Sequence, residues 1–223
     1  MFSDALGFVR LLQLADSALP VGALSHSFGI ETMTAEGTLD PGRLPDFLAA
    51  WLEETGTLEA AWCLQAAGVY DRRVRASWTD LNLTIAAMKP ARESRAASAV
   101  LGRRFLDLAC ELTGNPLLGE LARASCDIHL AAAFGAAGRA LSVAPEAAAA
   151  AYLHQSLAGL IAACQKLLPL GQRRASRLLW DLKPAILDAV QRADDPSAAR
   201  CFAPAIEIAS MRHPWLTTRL FVS

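Results

Sequence analysis

The sequence is short of the motifs that carry chemistry. No Gly-Lys pair occurs in its 223 residues. That excludes a P-loop, which needs Gly-Lys-Ser/Thr to cradle phosphate and hold magnesium. No Gly-x-Gly-x-x-Gly follows a strand-like run, so a dinucleotide-binding fold has no support. The five cysteines (Cys63, Cys110, Cys126, Cys164 and Cys201) include no Cys-x-x-Cys pair. An odd, scattered set argues against a disulfide framework and reads as small apolar core residues. Charge of one sign is missing too: Lys and Arg total 21, Asp and Glu 22, and the formal net charge is −1. No global field therefore recruits nucleic acid or an anionic membrane. Alternating runs of β-branched residues are also absent, so no sheet is expected.

What the chain does have is apolar and helical in period. Hydrophobic residues make up 53% and charged residues 19%, enough to fill one core without staples. Leu44, Phe47, Leu48, Trp51 and Leu52 fall at i, i+3, i+4, i+7 and i+8, the spacing of one helix face. Leu101, Phe105, Leu108 and Leu112 form a second stripe, stopped by Gly114-Asn115-Pro116. Leu153, Leu157, Leu160, Ile161 and Cys164 form a third, between Pro145 and Pro169. Leu178, Leu179, Leu182 and Ile186 form a fourth, which Pro184 is expected to kink or end. The other breaks are Pro20-Val21-Gly22, Asp40-Pro41-Gly42, Pro169-Leu170-Gly171 and Asp194-Asp195-Pro196. None is a long polar linker. The expected architecture is all-α: a single-domain multi-helix bundle over residues 1–223, of roughly eight to ten helices at ordinary helix length. The Ala-rich stretch Ala131 to Gly138 predicts close helix approach, inside the monomer or at a homodimer seam. Near the N-terminus, Asp4 and the lack of a basic region before an apolar run argue against a signal peptide. Arg139 and Glu146 interrupt the longest Ala-rich run, which argues against a membrane span. The expected compartment is cytoplasmic.

Three candidate chemistries are open. Ser25-His26-Ser27 invites a nucleophile reading, but no Gly-x-Ser-x-Gly elbow surrounds it. The plainer expectation is that Ser25 or Ser27 caps a helix running through Glu31. Cys126 and His129 are three apart and would share a helix face able to meet a metal, yet no second pair stands at ligand spacing. Arginines group at Arg72-Arg73-Arg75, at Arg92, Arg95, Arg103 and Arg104, and at Arg173-Arg174-Arg177. They lack the interleaved aromatics and basic balance of a nucleic-acid surface, so a solvated face or an acidic protein partner fits better.

Four blocks stand out as unlike generic helix. Residues 11–31 read LLQLADSALPVGALSHSFGIE: a helix, a Pro/Gly break and a second helix. Arg92-Glu93-Ser94-Arg95 is followed by Gly102-Arg103-Arg104-Phe105, then by Gln165-Lys166-Leu167-Leu168-Pro169-Leu170-Gly171-Gln172. Ile206-Glu207-Ile208-Ala209-Ser210-Met211-Arg212-His213 and the end Arg219-Leu220-Phe221-Val222-Ser223 complete the set. Together, and in this order, they resemble the urease accessory protein UreF family over nearly the whole chain. Ile30 replaces the pattern's leucine, and Pro214 stands where the family has glutamate. Proline fixes φ and removes a donor there.

The resemblance implies an all-α homodimer without catalytic residues or an intrinsic cofactor. It implies a complex with a UreD/UreH-like accessory protein and the GTPase UreG, acting on apo-urease, in which the complex handles nickel and GTP. It also implies partner-binding residues at Ser27, Gly29, Glu31, Leu220 and Phe221. Lys166 and Gln172 flank the Pro169-Leu170-Gly171 break, where a turn exposes polar side chains to the GTPase, or else Gln172 caps the next helix and Lys166 is a solvated last-turn residue. Arg219 can pair with a carboxylate or several carbonyls at an interface. The tail, residues 211–223, is expected to dock on the UreD-like partner. Its apolar side chains could otherwise return to the chain's own core.

Overall fold

A computed structural model describes residues 5–195 and 202–222. Asp4, Pro196, Cys201 and Ser223 therefore lie outside the described residues. The chain forms α1 (Ala5–Leu14), α2 (Ile30–Ala35), α3 (Leu44–Trp51), α4 (Thr57–Arg72), α5 (Arg75–Met88) and α6 (Arg92–Thr113). It continues through α7 (Pro116–Ala122), α8 (Leu130–Ala140), α9 (Pro145–Leu167), α10 (Gln172–Asp181), α11 (Lys183–Ala193) and α12 (Pro204–Arg212). No strand occurs among the described residues. A π-turn, Leu52–Gly56, joins α3 to α4 in one rod. A single residue, Leu182, separates α10 from α11. Taken as rods, the segments among the described residues number ten, within the expected range.

The sequence breaks act as expected. Gly114 ends α6 in the left-handed region at φ +62°. Asn115 then caps α7, its Oδ1 accepting from the Leu117 and Leu118 amides at 3.0 and 3.2 Å, and Pro116 opens the helix where no amide donor is needed. Pro145 and Pro204 open α9 and α12 in the same way. Pro184 lies in the first turn of α11, so the fourth stripe is divided between two helices.

At the centre sits α8, whose residues Ala131 to Gly138 are all buried. Small side chains let α4, α6 and α9 close around it. A Cβ on Gly135 would stand 2.1 Å from the Cys63 carbonyl oxygen, and one on Gly138 2.6 Å from Ala148 Cβ. A Cβ on Gly102 of α6 would stand 2.0 Å from the Ile128 oxygen. The homodimer seam expected as an alternative for this stretch is thereby overturned: its small face is used inside the monomer. Phe105 and Phe134 stack at 5.0 Å, with Tyr152 tilted 5.5 Å beyond, an arrangement favourable to aromatic rings. Among the described residues α9 alone is long and apolar enough to cross a membrane. Its burial against α4, α8, α10 and α11 makes it a core helix.

One polar cluster interrupts this core. Glu59 accepts from Tyr152 Oη at 2.5 Å and pairs with Lys89. Lys89 also lies 5.1 Å over the Trp62 ring. A buried carboxylate is tolerable only when paired and hydrogen-bonded, and these partners supply both. Burial, then the Glu59 charge, raises the Tyr152 pKa well above its usual value.

Candidate functional site

Three stretches far apart in sequence meet around one side chain, Glu31. The chain reaches it from α1 through a short 3-10 turn, Ala23–Ser25. Phe28 and Gly29 then take consecutive left-handed conformations, φ +50° and +92°, and so aim the backbone into α2. Glycine is required at the second position: a Cβ there would stand 2.8 Å from the Ile206 carbonyl oxygen of α12. This turn sets Glu31 on the inward face of α2, where it is 5% exposed.

A carboxylate removed from water needs donors, and the C-terminal tail supplies them. The Leu220 amide donates to Glu31 Oε1 at 2.6 Å and the Phe221 amide to Oε2 at 3.2 Å. His213 Nε2 stands 2.8 Å from Oε2. The Val222 amide donates to the Ser25 carbonyl at 2.8 Å. Lys166, in the last turn of α9, donates to the Leu24 carbonyl at 3.3 Å and lies 5.0 Å over the Phe221 ring. Pro214 sits in a 3-10 turn, His213–Trp215, after which Leu216 is extended. The tail thus leaves the α12 direction and folds back over α2. Further bonds fix α12 itself: Ser94 Oγ to Ser210 Oγ at 2.6 Å, and the Ala91 amide to Glu207 Oε2 at 3.2 Å. Burial raises the Glu207 pKa.

The expected partner-binding residues divide into two groups. Lys166, Gln172, Arg219 and Leu220 are exposed. Ser27, Gly29, Glu31 and Phe221 are buried, so they offer no surface to a partner in this conformation. Their interactions lie within the chain, because the turn at Gly29 and the carboxylate at Glu31 are satisfied by α12 and the tail. The tail's apolar side chains divide likewise. Phe221 is covered, while Trp215, Leu220 and Val222 are 80%, 68% and 71% exposed. His213 is the participant that sequence reasoning missed; its signal was a lone histidine in the same block as the tail.

The catalytic candidates lose their geometry. Neither serine caps α2, whose N-cap is Gly29. Ser25 ends the 3-10 turn, and Ser27 is fully buried with its hydroxyl unpartnered. The His26 ring lies 5.9 Å from that of Phe28, and burial followed by the Arg104 charge lowers its pKa. Cys126 and His129 do not share a helix: Cys126 lies in the turn before α8, and His129 is its N-cap. His129 Nδ1 faces Ser98 Oγ at 3.1 Å. No group of three or more His, Cys, Asp and Glu arranged for a metal occurs among the described residues.

Several of the arginines serve the chain's own carbonyls. Arg103 holds the Ala122, Ala124 and Cys126 oxygens of the α7–α8 connection. Arg95 donates to Lys89 at 2.6 Å, Arg104 to Val21 at 3.4 Å and Arg174 to Pro41 at 2.6 Å. Such clamps use the guanidinium fork on backbone.

A family model described as UreF matches residues 39–183. That span includes Lys166 and Gln172; Glu31 and the tail fall outside it, but near-full-length relatives reach further. The chain is 36% identical over 229 residues to the Urease accessory protein UreF of Nostoc sp., covering 97% of this chain and 96% of that protein. It is 31% identical over 217 residues to the Urease accessory protein UreF of Geobacillus kaustophilus, covering 96% of each. With well over half of its length matched by the family model and relatives above 30% identity along nearly all of it, this chain belongs to the UreF family of urease accessory proteins.

Proposed function

We propose that the chain is an interaction protein, a scaffold that helps load nickel into apo-urease. In this reading it bridges a UreD/UreH-like accessory protein and the GTPase UreG and regulates the GTPase. Nickel and GTP are handled by the complex, the chain acts as a homodimer, and the setting is the cytoplasm. The observation that carries the reading is the convergence at Glu31. The tail is folded onto α2 by two amides and a buried ring, yet it leaves Trp215, Leu220 and Val222 exposed. Exposed aromatic and aliphatic side chains held on a fixed frame suit a docking surface. Arg219 beside them is exposed and suits a carboxylate or carbonyl at an interface. Lys166 and Gln172, at either side of the α9–α10 break, are the proposed meeting point for the GTPase. The sequence has no Gly-Lys-Ser/Thr loop, so in this reading nucleotide chemistry falls to that partner.

The test is gel filtration and co-purification with UreD and UreG, with and without GTP. A stable assembly containing all three is expected. Failure to bind UreD, or UreD binding that survives changes in the tail, removes this assignment. The alternative, a helical enzyme using Ser25/His26 or Cys126/His129, has no supporting geometry.

A further inference from the structure

A cavity of about 110 Å³ lies between the loop from Ala23 to Phe28 and the polar core cluster, apart from the Glu31 contacts. One face of α9 forms a wall, with Tyr152, Gln155, Ser156 and Gly159 at i, i+3, i+4 and i+7. Phe28 and Ile206 contribute from the loop and from α12, and Trp51 and Thr55 from the rod at its π-turn.

Two features of the wall are unexplained by the protein alone. Gly159 lies inside a 23-residue helix, where glycine is destabilising relative to alanine. Gly102 and Gly135 have backbone neighbours that forbid a Cβ, but a Cβ on Gly159 meets nothing within 4 Å. Its lack of a side chain leaves room and serves no close contact. Gln155 is 6% exposed, and its Oε1 has no hydrogen-bond partner. An acceptor stripped of water and left unpaired is costly unless something brings it a donor.

We infer that this cavity is a binding site for a small neutral molecule with an apolar body and a hydrogen-bond donor, of the phenol or alcohol class, with Gln155 Oε1 as acceptor. The wall carries two carboxylates and one ammonium, so it repels an anion; a cation is opposed by Lys89 and would give up its water in a mainly apolar cavity. Glu59 is already engaged by Lys89 and Tyr152, and Glu207 by the Ala91 amide. The remaining wall is largely apolar, with Leu101, Leu160 and Ile206 among its residues. At about 110 Å³ the cavity is smaller than an apolar cavity of about 150 Å³ that takes up benzene, so a single ring is the upper size it admits. Water could satisfy Gln155 but would leave the apolar wall poorly matched.

Phenol and benzene titrations of the full chain, followed by two-dimensional amide NMR, test this. Phenol is expected to shift the Phe28, Gln155, Gly159 and Ile206 amides saturably and to bind more tightly than benzene. Gln155→Leu is expected to weaken phenol about fivefold while benzene binds undiminished, which shows the cavity intact. Gly159→Leu is expected to abolish both with no loss in Tm; Gly159→Ala, which the open space accommodates, gives a weaker block should leucine unfold the chain. No saturable shift at the wall amides would mean that the cavity holds only water, and would overturn the assignment. Phenol binding unchanged in Gln155→Leu, or in both Gly159 variants, would overturn it equally.

Discussion

Glu31 and Phe221 stand 190 residues apart in sequence, yet the Phe221 amide donates to the Glu31 carboxylate at 3.2 Å. The Leu220 amide and the His213 ring meet the same carboxylate, so a single side chain gathers three contacts from the C-terminal segment, beside those from Ser25 and Lys166. Glu31→Ala removes the acceptor from all three. We expect a loss of about 2–4 kcal/mol, the cost of leaving buried polar groups unpaired. Amide exchange should quicken at Leu220 and Phe221 first, with α4 and α8 still protected. Unchanged exchange at these two amides would show that the tail is held by something else.

Lys166 and Gln172 flank the same break but have different roles. Lys166 touches Leu24 and Phe221, so Lys166→Ala should loosen the tail modestly, by about 1 kcal/mol for a lost cation–π contact and hydrogen bond. Gln172→Ala, at the exposed start of α10, should leave Tm unchanged. If the double variant recruits UreG and activates urease as the parent does, the GTPase meets another surface.

Gly102→Ala and Gly135→Ala should each destabilise severely, by about 3 kcal/mol or more, because the added carbon meets backbone and neither helix can move without opening the core. Soluble yield and Tm are the measurements. A variant within about 1 °C of the parent would mean that the helices separate more readily than their packing suggests.

His129 provides a pH dependence whose sign is fixed. Burial, then the Lys89 charge, lowers its pKa to about 4 from an ordinary 6.5. The unfolded chain therefore binds a proton between those values that the folded chain does not, and unfolding becomes easier as pH falls. His129 should contribute fully above pH 6.5 and lose on the order of 3 kcal/mol by pH 4, the shift converted at 1.36 kcal/mol per unit. Denaturant melts across that range should show the slope in the parent, and His129→Gln should flatten it. An equal slope in the variant would assign the dependence elsewhere.

Local pattern made the helices legible. Apolar stripes such as Leu44–Leu48–Leu52 announce a buried face, and Gly114-Asn115-Pro116 announces a stop and a cap. The candidate site was legible only in part, because its logic is non-local. Nothing beside Glu31 in sequence says that its donors are tail amides, because those donors stand about 190 residues further along the chain. The serine cap failed for a related reason: α2 starts later than the Ser25 or Ser27 cap required, at Ile30, and its cap position is the left-handed Gly29 packed against Ile206. Cys126 and His129 look like a helix pair by spacing, but His129 begins the helix instead of lying within it.

The π-turn between Leu52 and Gly56 makes helix phase a matter of counting. A wider turn holds a residue more than an α-turn, and each residue rotates the rest of the helix by about 100°. Removing one residue there, Glu53 for example, would let the wide turn close to an ordinary α-turn, so both halves of the rod would keep nearly their present phase. Glu59 would still face Lys89 and Tyr152, and the stripe from Leu44 to Leu52 would stay in the core. A residue removed from a regular turn of α4 has no such slack and would rotate one half of the rod against the other by about 100°. At this point in the chain, a change in length need not act as a change in angle.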